Sequence, residues 1–206
     1  MLNQIFLDDS LIFATGGRRI IYQHPSEQNK LVKVDKPTDL QWIIKKKFIR
    51  RFLPKWYLKK FSENYIDYNA YKFYNTLSSE IFDFIPKSYG IVNTNLGEGF
   101  CTEKIVNYDG SLTITVEKYL KLYGFDDKLE KALNKLHEKM LRTNFIAREL
   151  QTFNLVLRYT DKDNFDIYII DGFGNPEKIK LSHIFKCIAK RKINKHFSLF
   201  INKIKH

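Results

Sequence analysis

Two apolar segments joined by a polar turn constrain the fold of this chain more than any other feature of its sequence. The first segment is the run 155–157, and the second alternates large apolar residues through Phe165, Ile167 and Ile169. Residues 161–164, between them, have the composition of a tight turn. Strand-like segments joined by such a turn form an antiparallel hairpin. The sequence therefore predicts a β-hairpin here.

A polar residue stands at each open end of the predicted hairpin. Asn154 precedes the first strand, and Asp171 follows the second and is itself followed by Gly172. Antiparallel pairing would bring Asn154 and Asp171 together, and their oxygens are of the kind that holds magnesium on nucleotide phosphates. Glu149, five residues before Asn154, has the position of a catalytic base. The ordered set predicts a phosphoryl-transfer site, although an Asp-Gly pair alone also fits an ordinary turn.

A second set of candidate groups lies near the N-terminus. Short strands are predicted over residues 11–14, 20–22 and 30–34, and the first turn contains Gly16 and Gly17. Such a turn would present backbone amides to phosphate oxygens at the close approach that glycine permits. An ordinary hairpin turn is the alternative, since a loop of three spaced glycines is absent.

Lys33 lies in the third predicted strand between Val32 and Val34, and it would reach the phosphates as a point charge. A lysine in so apolar a strand is expected to be buried on one face and to need a partner. The next predicted helix carries Glu63 and Asp67 on one face, and the longer Glu63 is the preferred partner. A solvated lysine and a solvated helix face are the alternatives.

Taken together, these segments resemble the bacterial YrbL family of PhoP regulatory network proteins, whose fold is similar to that of protein kinases. The resemblance runs over most of the chain and rests on the segments 17–19, 71–74, 85–90, 97–100, 108–111 and 154–156, together with Tyr22, His24-Pro25, Lys33 and Asp171. The segments 85–90 and Asp109-Gly110 are the most specific.

The resemblance implies an α+β, two-lobed protein-kinase-like fold for a single domain over residues 1–206. The N-lobe, about residues 1–104, would hold a small antiparallel sheet with one or two helices. The C-lobe, about residues 105–206, would be compact and mainly helical. The length and the 44% hydrophobic content suffice for one such core.

The resemblance also implies ATP and Mg²⁺ as cofactors. Lys33 would contact the phosphates, and Asn154 with Asp171 would coordinate the metal. The stretch from Glu103 to Ile105 would link the lobes and offer backbone groups to adenine.

One departure from the kinase pattern concerns the catalytic base. Glu149 replaces an aspartate, and Ala147 stands where a histidine is usual. The extra methylene displaces the carboxylate by about an ångström, which costs roughly a hundredfold in rate. A nucleotide-binding pseudokinase therefore stays beside an active kinase as an interpretation.

The net charge of +12 is concentrated in two segments without any acid, residues 41–60 and 186–206. Both interleave bases with bulky apolar residues. Such segments suit an anionic membrane surface, and they also fit solvated helix faces or electrostatic nucleic-acid binding. No base-reading motif accompanies them, so nucleic acid is the least favoured partner.

The remaining features predict a cytoplasmic protein, with peripheral contact at the inner membrane as one interpretation of the basic segments. The N-terminus lacks the basic region of a signal peptide, and no apolar run approaches the roughly 20 residues of a membrane span. Cys101 and Cys187 have no metal-ligand spacing, and no metal is assigned to the five scattered histidines.

The expected function is transfer of a phosphoryl group to a small-molecule or glycolipid acceptor, such as a lipopolysaccharide or capsule precursor at the inner membrane face. The short segment after Asp171 favours this acceptor class over an extended peptide. The alternatives are a non-catalytic regulator of the PhoP or envelope-stress network and, third, a nucleic-acid-binding module.

Overall fold

The computed structural model describes residues 4–36, 62–76, 78–147, 150–173 and 186–205. The chain divides into two compact units. Unit 1 comprises Met1–Asn69 with Lys87–Lys104, and unit 2 comprises Ala70–Pro86 with Ile105–His206.

A five-stranded antiparallel sheet forms unit 1, in the spatial order β1-β2-β3-β5-β4. Its strands are β1 (Ile12–Thr15), β2 (Arg19–Gln23), β3 (Lys30–Asp35), β4 (Ser88–Thr94) and β5 (Gly97–Glu103). The three strands predicted near the N-terminus are confirmed. A further hairpin, β4–β5, turns at Asn95 and Leu96.

The apolar side chains on one face of this sheet form its core. The cluster contains Leu7, Tyr22, Val32, Val34 and Cys101, with Ile5, Leu11, Ile20 and Val92 packed against it. Gly99 fits tightly beside it, because a Cβ there would lie 2.6 Å from Cγ1 of Val32. Burial raises the pKa of the Cys101 thiol to about 11, so this cysteine is an inert core residue.

Helix α1 (Glu63–Asn75) follows the predicted spacing, and its residues are divided between the two units. Residues 70–86 were expected in the N-lobe, but they pack within unit 2. Contacts between aromatic rings explain this packing. The ring centroids of Tyr71 and Phe173 are 4.8 Å apart, and those of Tyr74 and Phe145 are 4.4 Å apart. The Tyr74 hydroxyl also donates to the carbonyl of Ile146 at 2.9 Å.

Unit 2 combines helices with a three-stranded antiparallel sheet, β6-β7-β8. Its strands are β6 (Ile114–Thr115), β7 (Leu155–Tyr159) and β8 (Phe165–Ile169), and its further helices are α2 (Val116–Tyr123), α3 (Asp127–Thr143) and α4 (Lys186–Lys205). The β7–β8 hairpin predicted from the sequence is confirmed. The side chains of Leu155, Leu157, Ile167 and Ile169 are all buried.

Helix α3 is the core helix of unit 2. The Asp126 side chain caps its N-terminus by accepting a hydrogen bond from the amide of Leu129 at 2.8 Å, and Asn144 ends it in a left-handed conformation with φ of 54°. Its buried stripe includes Leu129, Leu133, Leu136 and Met140, as periodicity predicts.

Helix α4 packs on α3 through a second apolar stripe: Ala189, Ile193, Phe197 and Phe200 are buried. Part of the apolar content of the second basic segment therefore belongs to the protein core, whereas Ile188 and Leu199 are exposed. His137 of α3 stacks on Phe197 with ring centroids 4.1 Å apart, which gives this histidine a structural role.

The predicted α+β class is confirmed, with a small antiparallel sheet in one unit and a mainly helical second unit that contains the β7–β8 hairpin. In the part of the chain that the structure describes, no helix combines the length and the apolar character needed to span a bilayer.

Candidate functional site

The open end of the β7–β8 hairpin brings Asn154 and Asp171 together. Leu155 pairs with Ile169, so the next residues outward, Asn154 and Ile170, face each other. The amide of Ile170 donates to the carbonyl of Asn154 at 2.9 Å, and Asp171 follows directly. The predicted proximity of the two polar residues is thus produced by strand register.

The Asp171 carboxylate is held by its own turn. Its Oδ1 accepts a hydrogen bond from the amide of Gly172 at 2.7 Å. Gly172 has φ of 83°, a left-handed value that glycine adopts without strain. A tight turn therefore occurs directly beside the two polar residues. Asn154 and Asp171 are both partly accessible to solvent.

The chemistry of this pair fits magnesium. Magnesium prefers oxygen ligands, and in nucleotide sites one or two protein side chains hold it together with phosphate oxygens. Asn154 offers a carboxamide oxygen and Asp171 a carboxylate. Among the described residues there is no group of three or more histidine, cysteine and acidic side chains that would form a metal site by themselves.

An apolar cluster lies on the same hairpin. Ile105, Val156 and Tyr168 are buried together, and Ile170 packs against them. Val156 belongs to β7, and Asn154 directly precedes the first residue of that strand. The cluster includes Ile105, one of the predicted adenine-linker residues.

The other end of the predicted linker belongs to unit 1, where its backbone amides donate hydrogen bonds within the protein. The amide of Glu103 donates to the carbonyl oxygen of Lys87 at 2.8 Å, and the amide of Lys104 donates to the carbonyl oxygen of Asn29 at 2.8 Å. The Oε2 atom of Glu103 accepts a further bond from the amide of Lys87 at 3.0 Å. Any backbone donor to adenine from this stretch must therefore come after Lys104.

Lys33 lies in β3 opposite Ile21 and Phe100 on the neighbouring strands. Its exposed fraction is 5%, which confirms the predicted burial. A buried ammonium is costly unless it is compensated, and active sites are where proteins retain such groups. The assignment of a carboxylate partner to Lys33 stays a prediction.

The two carboxylates proposed for Lys33 bind arginines of β2 and its turn. Glu63 forms an ion pair with Arg18, whose side chain is 62% exposed. Asp67 forms one with Arg19 at 2.7 Å, with side chains only 7% and 4% exposed. Sequence reasoning did not identify either arginine as a carboxylate partner. Arg19 was detectable by the argument used for Lys33, because it too is a cation in an apolar strand.

The turn of Gly16 and Gly17 closes the β1–β2 hairpin. The amide of Gly16 donates to Arg19 at 2.9 Å, and its carbonyl accepts from Lys36 Nζ at 2.7 Å. Neither glycine has a positive φ, and nothing lies within 4 Å of a Cβ on Gly17. The fold itself does not require glycine at Gly17, and the Gly16 amide is committed to the hairpin rather than offered to a phosphate.

The predicted base Glu149 lies outside the described residues, as does the basic segment 41–60. The residues on either side of the base are bound by α4. His196 Nδ1 lies 3.1 Å from the carbonyl oxygen of the buried Ala147, and Lys203 donates to the Gln151 side chain at 3.3 Å. His196 was missed because it is one of several scattered histidines without a motif.

Comparison with solved structures finds protein kinase domains. A double mutant of the PknI kinase domain of Mycobacterium tuberculosis has a TM-score of 0.45 at 10% identity, covering 79% of this chain and 56% of that chain. A single mutant of the same domain has a TM-score of 0.41 at 10% identity, with coverages of 79% and 57%. The BubR1 kinase domain has a TM-score of 0.47 at 13% identity, with coverages of 82% and 47%. This chain spans about half the length of these domains.

Among curated proteins, no sequence matches the chain. A family model does match, and it covers nearly all of the sequence, from residue 5 to residue 205. The chain therefore belongs to the family described as PhoP regulatory network protein YrbL.

Proposed function

We propose that this chain is an ATP- and magnesium-dependent phosphotransferase. The observation that carries the proposal is the position of Asn154 opposite Ile170 at the end of the β7–β8 hairpin, with Asp171 as the next residue of the chain. A bound magnesium ion would neutralise charge on the nucleotide phosphates.

The remaining nucleotide contacts are assigned by chemistry. The cluster of Ile105, Val156, Tyr168 and Ile170 supplies an apolar surface for the adenine base. Lys33, the buried cation of β3, supplies a positive charge for the phosphates. Glu149 accepts the proton of the acceptor hydroxyl in this proposal.

For the acceptor, we propose a small molecule or a glycolipid, such as a lipopolysaccharide or capsule precursor at the inner membrane face. Only residues 174–185 separate Phe173 from helix α4, which is itself packed on α3. In protein kinases the corresponding segment contributes to holding the peptide substrate. So short a connection favours a compact acceptor.

Transfer of labelled phosphate from ATP tests this function. The wild type is incubated with a glycolipid extract, with free glycans and with a general protein substrate, beside Asp171→Asn and Glu149→Gln. We expect label in the glycolipid or glycan fraction, and loss of most of it in both variants. Efficient labelling of protein with none of glycans or glycolipids would contradict the acceptor class.

The second candidate is a regulator that binds nucleotide without catalysis. It is favoured by one observation: Ala147 stands at the usual histidine position, is buried, and has its carbonyl bound by His196. This candidate predicts ATP binding with no acceptor-dependent turnover. Turnover that is abolished by Asp171→Asn would exclude it.

A further inference from the structure

Helix α4 carries basic side chains along its whole length and no acidic one. From Lys186 to Lys205 it contains seven lysines and arginines with no aspartate or glutamate. A helix with a solvated polar face ordinarily mixes both signs, since oppositely charged neighbours stabilise it. The positive potential of α4 is thus not cancelled within the helix.

The structure separates the residues of α4 that hold it in place from those that face outward. The buried stripe of Ala189, Ile193, Phe197 and Phe200 anchors the helix. Near the C-terminus, Lys205 pairs with Glu130 at 2.7 Å and lies over the ring of Phe125. Lys203 reaches Gln151. These two lysines therefore fix the helix to its own unit.

The exposed face carries a stripe of a different character. Ile188, Lys192, Lys195 and Leu199 follow one another at helical spacing, and Arg191 flanks them. Ile188 is 41% exposed and Leu199 is 60% exposed. In the described part of the chain, Arg191 and Lys195 form no ion pair. Cations and exposed aliphatic side chains therefore share one surface, which we call the outer face of α4.

We propose that the outer face of α4 docks on an anionic phospholipid bilayer. Lysine and arginine near such a surface gain attraction from lipid phosphates, and aliphatic side chains gain by entering the headgroup boundary. Nucleic acid offers the same phosphates but no apolar layer for Ile188 and Leu199. The combination of both side-chain types favours the bilayer.

The proposal does not depend on phosphotransfer, because binding to a bilayer requires no nucleotide. The test is sedimentation of the full chain with vesicles containing phosphatidylglycerol, and with vesicles of phosphatidylcholine alone. The outer-face variant is Arg191→Gln with Lys195→Gln. The matched control is Lys128→Gln with Lys131→Gln, which removes two exposed lysines of α3 that form no ion pair among the described residues.

We expect the wild type to bind the anionic vesicles only, and added salt to weaken the binding. Each removed cation should lower the partition coefficient roughly fivefold, so the outer-face variant should bind about 25-fold more weakly. The control should stay within about twofold of the wild type.

A third variant, Leu199→Ser, tests the apolar contribution and should bind several-fold more weakly at unchanged charge. Equal binding by the wild type and the outer-face variant would overturn the proposal, as would an equal loss in the control. Tighter binding to RNA or DNA than to anionic vesicles, with the same dependence on Arg191 and Lys195, would assign the surface to nucleic acid instead.

Discussion

The sheet of unit 1 and helix α4 of unit 2 are both rich in cations, yet they use them in opposite ways. In unit 1, Arg19 and Lys33 are buried, and Arg19 is compensated by Asp67 of α1. In α4, Arg191 and Lys195 are exposed on a helix that contains no acid. Burial and the presence of a partner, rather than the number of charges, separate an internal role from a surface role.

The largest expected effect concerns the buried ion pair. Removing one member leaves an uncompensated buried charge, so Asp67→Ala should lower the free energy of unfolding by about 3–5 kcal/mol. Glu63→Ala is the matched control, since its partner Arg18 is largely exposed, and it should cost no more than about 1 kcal/mol. Denaturant titration measures both. Similar losses in the two variants would remove the distinction between buried and exposed cations.

A smaller effect is expected at Asp35, which lies opposite Arg19 in the register of β2 and β3. Burial raises its pKa, and Oδ1 is buried with no hydrogen-bond partner among the described residues. A raised pKa favours the protonated acid in the fold. The contribution of protonated Asp35 to the free energy of unfolding is therefore present below its usual pKa of 3.8. It is lost as the pH rises through the higher pKa that Asp35 has in the folded protein.

The measurement is the unfolding free energy of the wild type and Asp35→Asn across the acidic range. Relative to Asp35→Asn, the wild type should lose stability as the pH rises through the raised pKa of Asp35. A difference that is independent of pH, or that grows in the opposite direction, would contradict the burial cost assigned to Asp35.

The smallest effect concerns the packing of α4 on α3. His137 stacks on Phe197 and contacts Asn194, and burial lowers its pKa. The neutral imidazole is favoured in the fold, so stability is present above the usual pKa of 6.5 and falls as the pH drops below it. Between about pH 7.5 and about pH 5.5, the melting temperature of the wild type should fall more than that of His137→Gln. Equal pH dependence in the two proteins would contradict this assignment.

The parts of the fold that follow from local pattern were predictable from the sequence. The β7–β8 hairpin and the buried stripe of α3 depend on periodicity and turn chemistry, and both are confirmed. Strand register then places Asn154 opposite Ile170, the residue before Asp171.

Contacts between distant segments were not predictable in the same way. The partner of a buried charge depends on which elements meet, so the pairing of Asp67 with Arg19 required the structure. The same holds for the contact of His196 with Ala147 and for the packing of residues 70–86 in unit 2. Composition also could not divide the bulky residues of α4 into core and surface, since both stripes contain aliphatic side chains.

The most direct test of the proposed function is calorimetric binding of ATP to the full chain, with magnesium and with the metal chelated. Asp171→Asn removes the proposed metal ligand at nearly constant shape. Asp163→Asn makes the same change at the exposed turn of the hairpin. Binding that requires magnesium, weakens at least about tenfold in Asp171→Asn and is unchanged in Asp163→Asn is the predicted result. Absence of binding in the wild type, or binding that depends on neither magnesium nor Asp171, would contradict the assignment of this hairpin to a nucleotide site.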